Sequence, residues 1–185
     1  NLKTHIENVA KFGLPAVVAV NKFITDTDEE IQLLEKLCRD NGSTAVLSEG
    51  WGKGGEGAAD LARTVAEIAD SGKANYHPLY ELALPLADKI RTIAKEIYRA
   101  ADVEFDSAAL KKLKTFEDAG YGKLPVCIAK TQNSISHDPK LIGAPSGYTF
   151  PVRDVQLYAG AGFVVALAGD IMTMPGLPKA PAALN

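Results

Sequence analysis

The sequence predicts an α/β protein: a βαβ-wound, mostly parallel sheet with flanking helices, plus a smaller C-terminal α/β domain. Three observations carry the prediction. Residues 16–20 (Ala-Val-Val-Ala-Val) form a continuous apolar, β-branched run, the pattern of a strand buried on both faces of a parallel sheet. Thr27 and Glu30 have capping-box spacing and open a segment in which Ile31, Leu34 and Cys38 recur at helical intervals. A second short apolar run and a second helical pattern follow, so strand, helix, strand and helix alternate as in wound α/β folds. A division near residue 100 is expected, giving domains 1–100 and 101–185.

The elements follow in order. Residues 5–12 read as the end of a helix stopped by Gly13 and Pro15. After the strand at 16–20, the capped helix ends at Asn41-Gly42. Residues 44–47 are the next strand, 48–57 a glycine-rich loop, and 57–69 a helix with Leu61, Val65 and Ile68 on one face. Residues 71–76 are a polar connection. Leu82, Leu86, Ile90, Ile93 and Ile97 mark a long amphipathic helix over 78–98, which Pro85 either kinks or starts. A short strand at 101–105, a helix from Asp106 or Ser107 to Ala119, and a strand at 125–129 come next. Residues 131–148 hold few apolar side chains and read as a long ordered loop. Strands are expected at 149–155 and 162–167, and residues 172–178 as an irregular wrap over the core.

The chain has 185 residues, 46% hydrophobic, with a formal charge of −3. That is enough to bury a core, and the mild acidity argues against nucleic acid as a partner, since phosphate binding needs a basic face. No apolar run reaches the length of a membrane span, and no signal-peptide pattern is visible ahead of the first helix. Cys38 and Cys127 both lie in apolar patterns, and both are expected to be buried free thiols of a reducing, cytoplasmic compartment. No Cys or His pair has zinc-site spacing, so no metal site is expected.

Phe23 and Trp51 are the informative side chains. Each follows the carboxyl end of a predicted strand, where open α/β sheets bind ligands. Trp51 is the single tryptophan and sits among glycines. Phe23 by itself fits a core position; the two rings together fit a stacking site for a planar heterocycle, each stacked ring contributing about 1–3 kcal/mol. Asn21-Lys22 resembles the start of the Asn-Lys-x-Asp guanine-reading motif of GTPases, but Ile24 stands where the Asp would accept the base; Asn21 is otherwise a loop residue satisfying backbone groups. The stretch 52–57, with Lys53, Gly54 and Gly55, lacks the P-loop order of Gly, Lys and hydroxyl. It reads either as an anion contact through backbone amides and Lys53 or as a turn that leaves Trp51 at the surface. Asp26, Asp28, Glu29 and Glu30 read as helix N-terminal charges, His137-Asp138 as a solvated loop pair, and Arg153-Asp154 as an ion pair or interface contact.

These segments together resemble formate–tetrahydrofolate ligase, also called formyltetrahydrofolate synthetase. The resemblance runs through residues 15–23 with Thr25-Asp26-Thr27, through Trp51 to Gly57, through 124–132, through 153–155 and 159–163, and through 169–178. It implies that ATP activates formate as formyl phosphate and that N10 of tetrahydrofolate then attacks it, giving 10-formyltetrahydrofolate, ADP and phosphate. It implies that Phe23 and Trp51 hold the folate pterin, which makes 1–100 the folate-side domain. It places Leu47, through its backbone amide, and Lys53 at the formyl phosphate pocket, with Asn21, Lys22, Gly54 and Gly55 as further ligand contacts. Magnesium-bound ATP and tetrahydrofolate are then substrates, with room for a monovalent cation. Family members are about three times this length and carry a P-loop near their N-terminus. The chain therefore reads as a C-terminal fragment whose partner is that P-loop part, with catalytic residues expected there, homotetrameric when intact and inactive alone. The other readings are a GTPase-like half-domain and a structural or oligomerisation module.

Overall fold

The computed structural model describes residues 1–169 and 171. The expected wrap at 172–178 lies outside the described residues. The chain divides into two units, Asn1–Leu79 and Tyr80–Asn185; residue 100 falls inside the second, just before its first strand.

In the first unit, helix α1 (Leu2–Ala10) leads through a turn into strand β1 (Val17–Asn21). Helix α2 (Asp28–Asp40) carries the complete capping box: Thr27 Oγ1 accepts from the Glu30 backbone, and the Glu30 carboxylate accepts from Thr27 N–H at 3.0 Å. Strand β2 (Thr44–Ser48) pairs with β1 in parallel, with Val20 opposite Leu47 and Asn21 opposite Ser48. Helices α2 and α4 (Ala59–Asp70) pack on β2. Two findings differ from the sequence reading. β1 is not buried on both faces: Val20 is buried, but Ala19 and Asn21 are exposed, because the sheet it belongs to has two strands among the described residues. The glycine-rich stretch is not a loop but helix α3 (Gly50–Gly57), broken at Gly54, where φ is 58° and ψ is −140°. Only glycine adopts that backbone without strain.

The second unit holds the larger core. Helix α5 (Leu86–Glu96) starts at Pro85, whose extended backbone occupies the N-cap, rather than near residue 78. Strand β3 (Asp102–Phe105) and helix α6 (Ser107–Phe116) follow; Asp106 sits at the N-cap of α6 without a side-chain cap bond. The π-helical turn Glu117–Tyr121 ends the helix through Gly120. Strands β4 (Val126–Ala129), β5 (Thr149–Val152), β6 (Asp154–Tyr158) and β7 (Phe163–Leu167) complete the unit. The strand expected at 149–155 is thus two. β5 pairs in parallel with β3; β6 runs antiparallel to β7, which pairs in parallel with β4. The fold is α/β with small parallel and mixed sheets.

Leu86, Ile90, Val103, Leu113, Phe150, Val152, Val155 and Val164 bury their side chains in one cluster between α5, α6 and these strands. Each full burial of a side chain of this size stabilises by about 1.5–3 kcal/mol. Cys38 is buried, but Cys127 is exposed. Alternation along β4 turns Val126 and Ile128 to the core and Cys127 away from it.

Candidate functional site

The two aromatic residues come together. β1 ends at Asn21 and β2 at Ser48, and the parallel register places these ends side by side. The chain leaving β1 makes one more ladder bond, Lys22 N–H to Ser48 C=O at 3.0 Å, and then turns. The Phe23 N–H donates to the Asp26 carboxylate at 2.8 Å, and the Asp26 N–H donates back to the Phe23 carbonyl at 3.1 Å. The chain leaving β2 enters α3, which carries Trp51. Phe23 and Trp51 are 49% and 79% exposed, and their ring centroids lie 6.2 Å apart at an interplanar angle of 51°. Such a tilted pair is a favourable aromatic contact. A third ring inserted between two parallel ones needs about 7 Å, twice a carbon–carbon contact of about 3.5 Å. A flat ligand is therefore admitted when the rings part by about an ångström and turn parallel.

Trp51 is held through Glu49. The Glu49 N–H donates to Gly57 C=O at 3.0 Å, and the Glu49 carbonyl accepts from Gly52 and Lys53 N–H at 3.0 and 2.9 Å. The approach is so close that a Cβ on Gly57 would meet the Glu49 carbonyl oxygen at 2.5 Å. Lys53 Nζ donates to the Glu49 carboxylate at 2.6 Å. This bond lowers the Glu49 carboxyl below its ordinary range and raises the Lys53 ammonium above its own, so both stay charged. Among the positions singled out in the sequence, Lys53 is thus engaged with Glu49, and Lys22 reaches Asp28 at 3.4 Å. Leu47 lies half-buried in β2, Asn21 is exposed at the end of β1, and Gly54 and Gly55 are exposed in α3. Ile24 is 94% exposed beside Phe23. Glu49 was missed by sequence reasoning; its spacing of four from Lys53 is the helical ion-pair signal, hidden by reading the segment as a loop.

The remaining positions sort out differently. Of the acidic cluster, Asp26 binds Phe23, Asp28 binds Lys22, and Glu30 closes the capping box. Asp154 pairs with Lys112 of α6 at 2.6 Å, which holds its carboxyl below the usual range. His137 is half-buried, with its ring against Tyr148 and Phe150, and its Nδ1 is buried without a hydrogen-bond partner. With Thr131, Asp138, Pro139 and Gly169 it lines a pocket of about 270 Å³. Lys130, before it, donates to the carbonyls of Thr131 and Ser134, and burial lowers its ammonium pKa. Among the described residues no group of three or more His, Cys, Asp or Glu is placed to hold a metal ion, and no helix is long and apolar enough to cross a membrane.

The family model described as formate–tetrahydrofolate ligase matches residues 1–185. The chain belongs to the formate–tetrahydrofolate ligase family. Proteins of that name from Roseobacter denitrificans and Fervidobacterium nodosum are 54% and 56% identical to it over 185 residues, all of this chain and 33% of each relative. The formate–tetrahydrofolate ligase of Granulibacter bethesdensis is 56% identical over 183 residues, 99% of this chain and 32% of its own. The chain therefore spans about a third of the length of the curated family members it matches.

Proposed function

We propose that this chain is the folate-side part of an ATP-dependent ligase that joins formate to tetrahydrofolate. The observation that carries the reading is the Phe23–Trp51 pair, two largely exposed rings 6.2 Å apart just beyond the ends of paired parallel strands. The pterin is a flat heterocycle and enters between them. In the whole enzyme, formate attacks the γ-phosphorus of ATP, giving formyl phosphate and ADP. N10 of tetrahydrofolate then attacks the formyl carbon, phosphate leaves, and N10 gives up its proton. The backbone amide of Leu47 and the Lys53 ammonium serve the formyl phosphate side, where fixed donors offset the negative charge of the transferred group. Asn21, Lys22, Gly54 and Gly55 border the ligand. Magnesium enters on the nucleotide as part of the substrate.

On this reading, the first unit, Asn1–Leu79, is the folate-side part, the second unit is the C-terminal α/β part, and β1–β2 extend into a larger wound sheet of the parent enzyme. A two-stranded parallel sheet is a marginal structure alone, which supports that extension. The parent is a cytoplasmic homotetramer, and a P-loop part outside these residues supplies the nucleotide site and the catalytic side chains. This chain alone therefore produces no 10-formyltetrahydrofolate.

The test excites Trp51 and titrates tetrahydrofolate, with GTP and ADP as controls and correction for pterin absorbance. Saturable quenching by tetrahydrofolate that weakens in Phe23→Ala is the expected result. A response selective for GTP, or quenching unchanged by Phe23→Ala, overturns the pterin assignment. Formation of 10-formyltetrahydrofolate by the chain alone overturns the division of labour.

A further inference from the structure

We infer that Asp26 and Glu49 are positioning residues that set the separation and tilt of the Phe23 and Trp51 rings, each by closing the backbone turn that carries one ring. The inference rests on reading the ring pair as the pterin site.

Asp26 engages both polar backbone groups of Phe23: its carboxylate accepts the Phe23 N–H at 2.8 Å, and its own N–H donates to the Phe23 carbonyl. Phe23 lies beyond the last ladder bond of β1, so these two bonds fix the backbone from which its ring projects. Glu49 acts on the Trp51 segment chiefly through its main-chain N–H and C=O. It binds the segment at both ends, through Gly57 behind Trp51 and through Gly52 and Lys53 next to it, and its carboxylate anchors the Lys53 side chain. Five of the eight residues of α3 are glycine, a composition that disfavours helix. The closure at Glu49 supplies the order that composition withholds. The two acids act from the adjacent ends of β1 and β2, so the sheet register relates one ring to the other. Their side chains hold backbone and Lys53 and leave the ring faces to the ligand.

The test compares Asp26→Ala, Asp26→Asn, Glu49→Ala and Gly57→Ala with the native chain. Ring contact is read without ligand as nuclear Overhauser effects between Phe23 and Trp51 protons, and affinity as the tetrahydrofolate Kd. Asp26→Ala is expected to lose the ring contact and to bind tetrahydrofolate about five- to tenfold more weakly, the effect of losing one such hydrogen bond. Glu49→Ala keeps the main-chain bonds to Gly52, Lys53 and Gly57 and loses only the exposed Lys53 ion pair, so a change of about twofold or less is expected. Gly57→Ala, whose Cβ would meet the Glu49 carbonyl oxygen at 2.5 Å, forces that closure apart and is expected to lose the ring contact. Asp26→Asn keeps an acceptor oxygen and is expected to restore both readouts. Where Asp26→Ala does not fold, Asp26→Glu keeps the charge but shifts the carboxylate by one methylene, and it is expected to lose the same contact. Unaltered ring contact in folded Asp26→Ala or Asp26→Glu, and in Gly57→Ala, overturns the inference, as does failure of Asp26→Asn to restore it. Lost ring contact in a native background that binds no tetrahydrofolate upholds the positioning role while refuting the pterin reading. Tetrahydrofolate binding that is sensitive to Phe23→Ala but indifferent to Asp26→Ala and Gly57→Ala does the reverse.

Discussion

The Glu117 carboxylate accepts the backbone N–H of Leu86 at 2.7 Å and so caps α5 from a residue thirty-one positions away. Pro85 at the N-cap has no side-chain acceptor to offer, and Leu86 is fully buried. The cap therefore comes from the turn that ends α6, and it ties the two helices together. Glu117→Ala is expected to destabilise the chain by about 1–2 kcal/mol. Glu117→Gln, which keeps the acceptor, is expected to lose less. Denaturant unfolding of the two variants beside the native chain checks this.

Lys89, one turn further along α5, is buried, and its ammonium donates to the carbonyls of Gly122 and Leu124 at 2.7 and 3.0 Å. Lys89→Met keeps the stem and leaves both carbonyls unpaired, so a loss of about 3 kcal/mol is expected. Burial lowers the Lys89 pKa, with Glu117 opposing. The unfolded chain then binds the proton more tightly, and the contribution of Lys89 to stability rises with pH toward the ordinary lysine value of 10.5. The difference in unfolding free energy between native and Lys89→Met, measured from pH 7 to 10, is expected to widen.

Tyr148 gives the opposite slope. Its hydroxyl donates to the Tyr98 carbonyl, and burial first, then Tyr98, pushes its pKa from 10.0 up to about 12. Between those values the unfolded chain loses the proton while the folded chain keeps it. The contribution is full below pH 10 and falls as pH rises toward 12. Absorbance titration at alkaline pH is expected to show one phenolate appearing near pH 12 that is missing in Tyr148→Phe.

Two glycines of α3 are expected to behave in opposite ways. A Cβ at Gly52 meets nothing within 4 Å, so Gly52→Ala should gain up to about 1 kcal/mol of helix propensity. A Cβ at Gly57 meets the Glu49 carbonyl oxygen at 2.5 Å and carbon at 2.6 Å, backbone atoms that cannot step aside. Gly57→Ala is expected to cost about 1–3 kcal/mol and to loosen Trp51. Unfolding midpoints and Trp51 fluorescence anisotropy measure both effects.

Local patterns told much of this in the sequence. The Thr27–Glu30 box is a four-residue signal, and it formed with both of its bonds. The runs at 16–20 and 44–47 became parallel partners because short apolar stretches separated by a capped helix leave little other choice. What failed depended on atoms distant in sequence. Propensity reads the glycines of α3 as a loop; the Gly52 and Lys53 N–H bonds to the Glu49 carbonyl start a helical turn there, and the bond from Glu49 N–H to Gly57 closes the segment. Pro78 and Pro85 both offer a helix start, and Glu117 decides for the second. Cys127 looks buried between Val126 and Ile128 until the alternation of β4 is known to turn it away from the core. In the candidate site, Phe23 and Trp51 were legible because both rings follow strands, whereas their tilt and the role of Glu49 required the turn geometry.

The break between β5 and β6 is a seam made of one residue. Phe150 and Val152 turn inward at even positions, and Val155 and Leu157 meet the same core at odd ones. Arg153, whose N–H donates to the Leu167 carbonyl, absorbs the change of phase. It lets a single stretch of chain leave β3 as its neighbour and join β7, with both halves still facing the core. Deleting Arg153 would restore strict alternation from Phe150 to Leu157 and weld two sheets into one ladder. The number of residues at this point, more than their identity, keeps the two sheets separate.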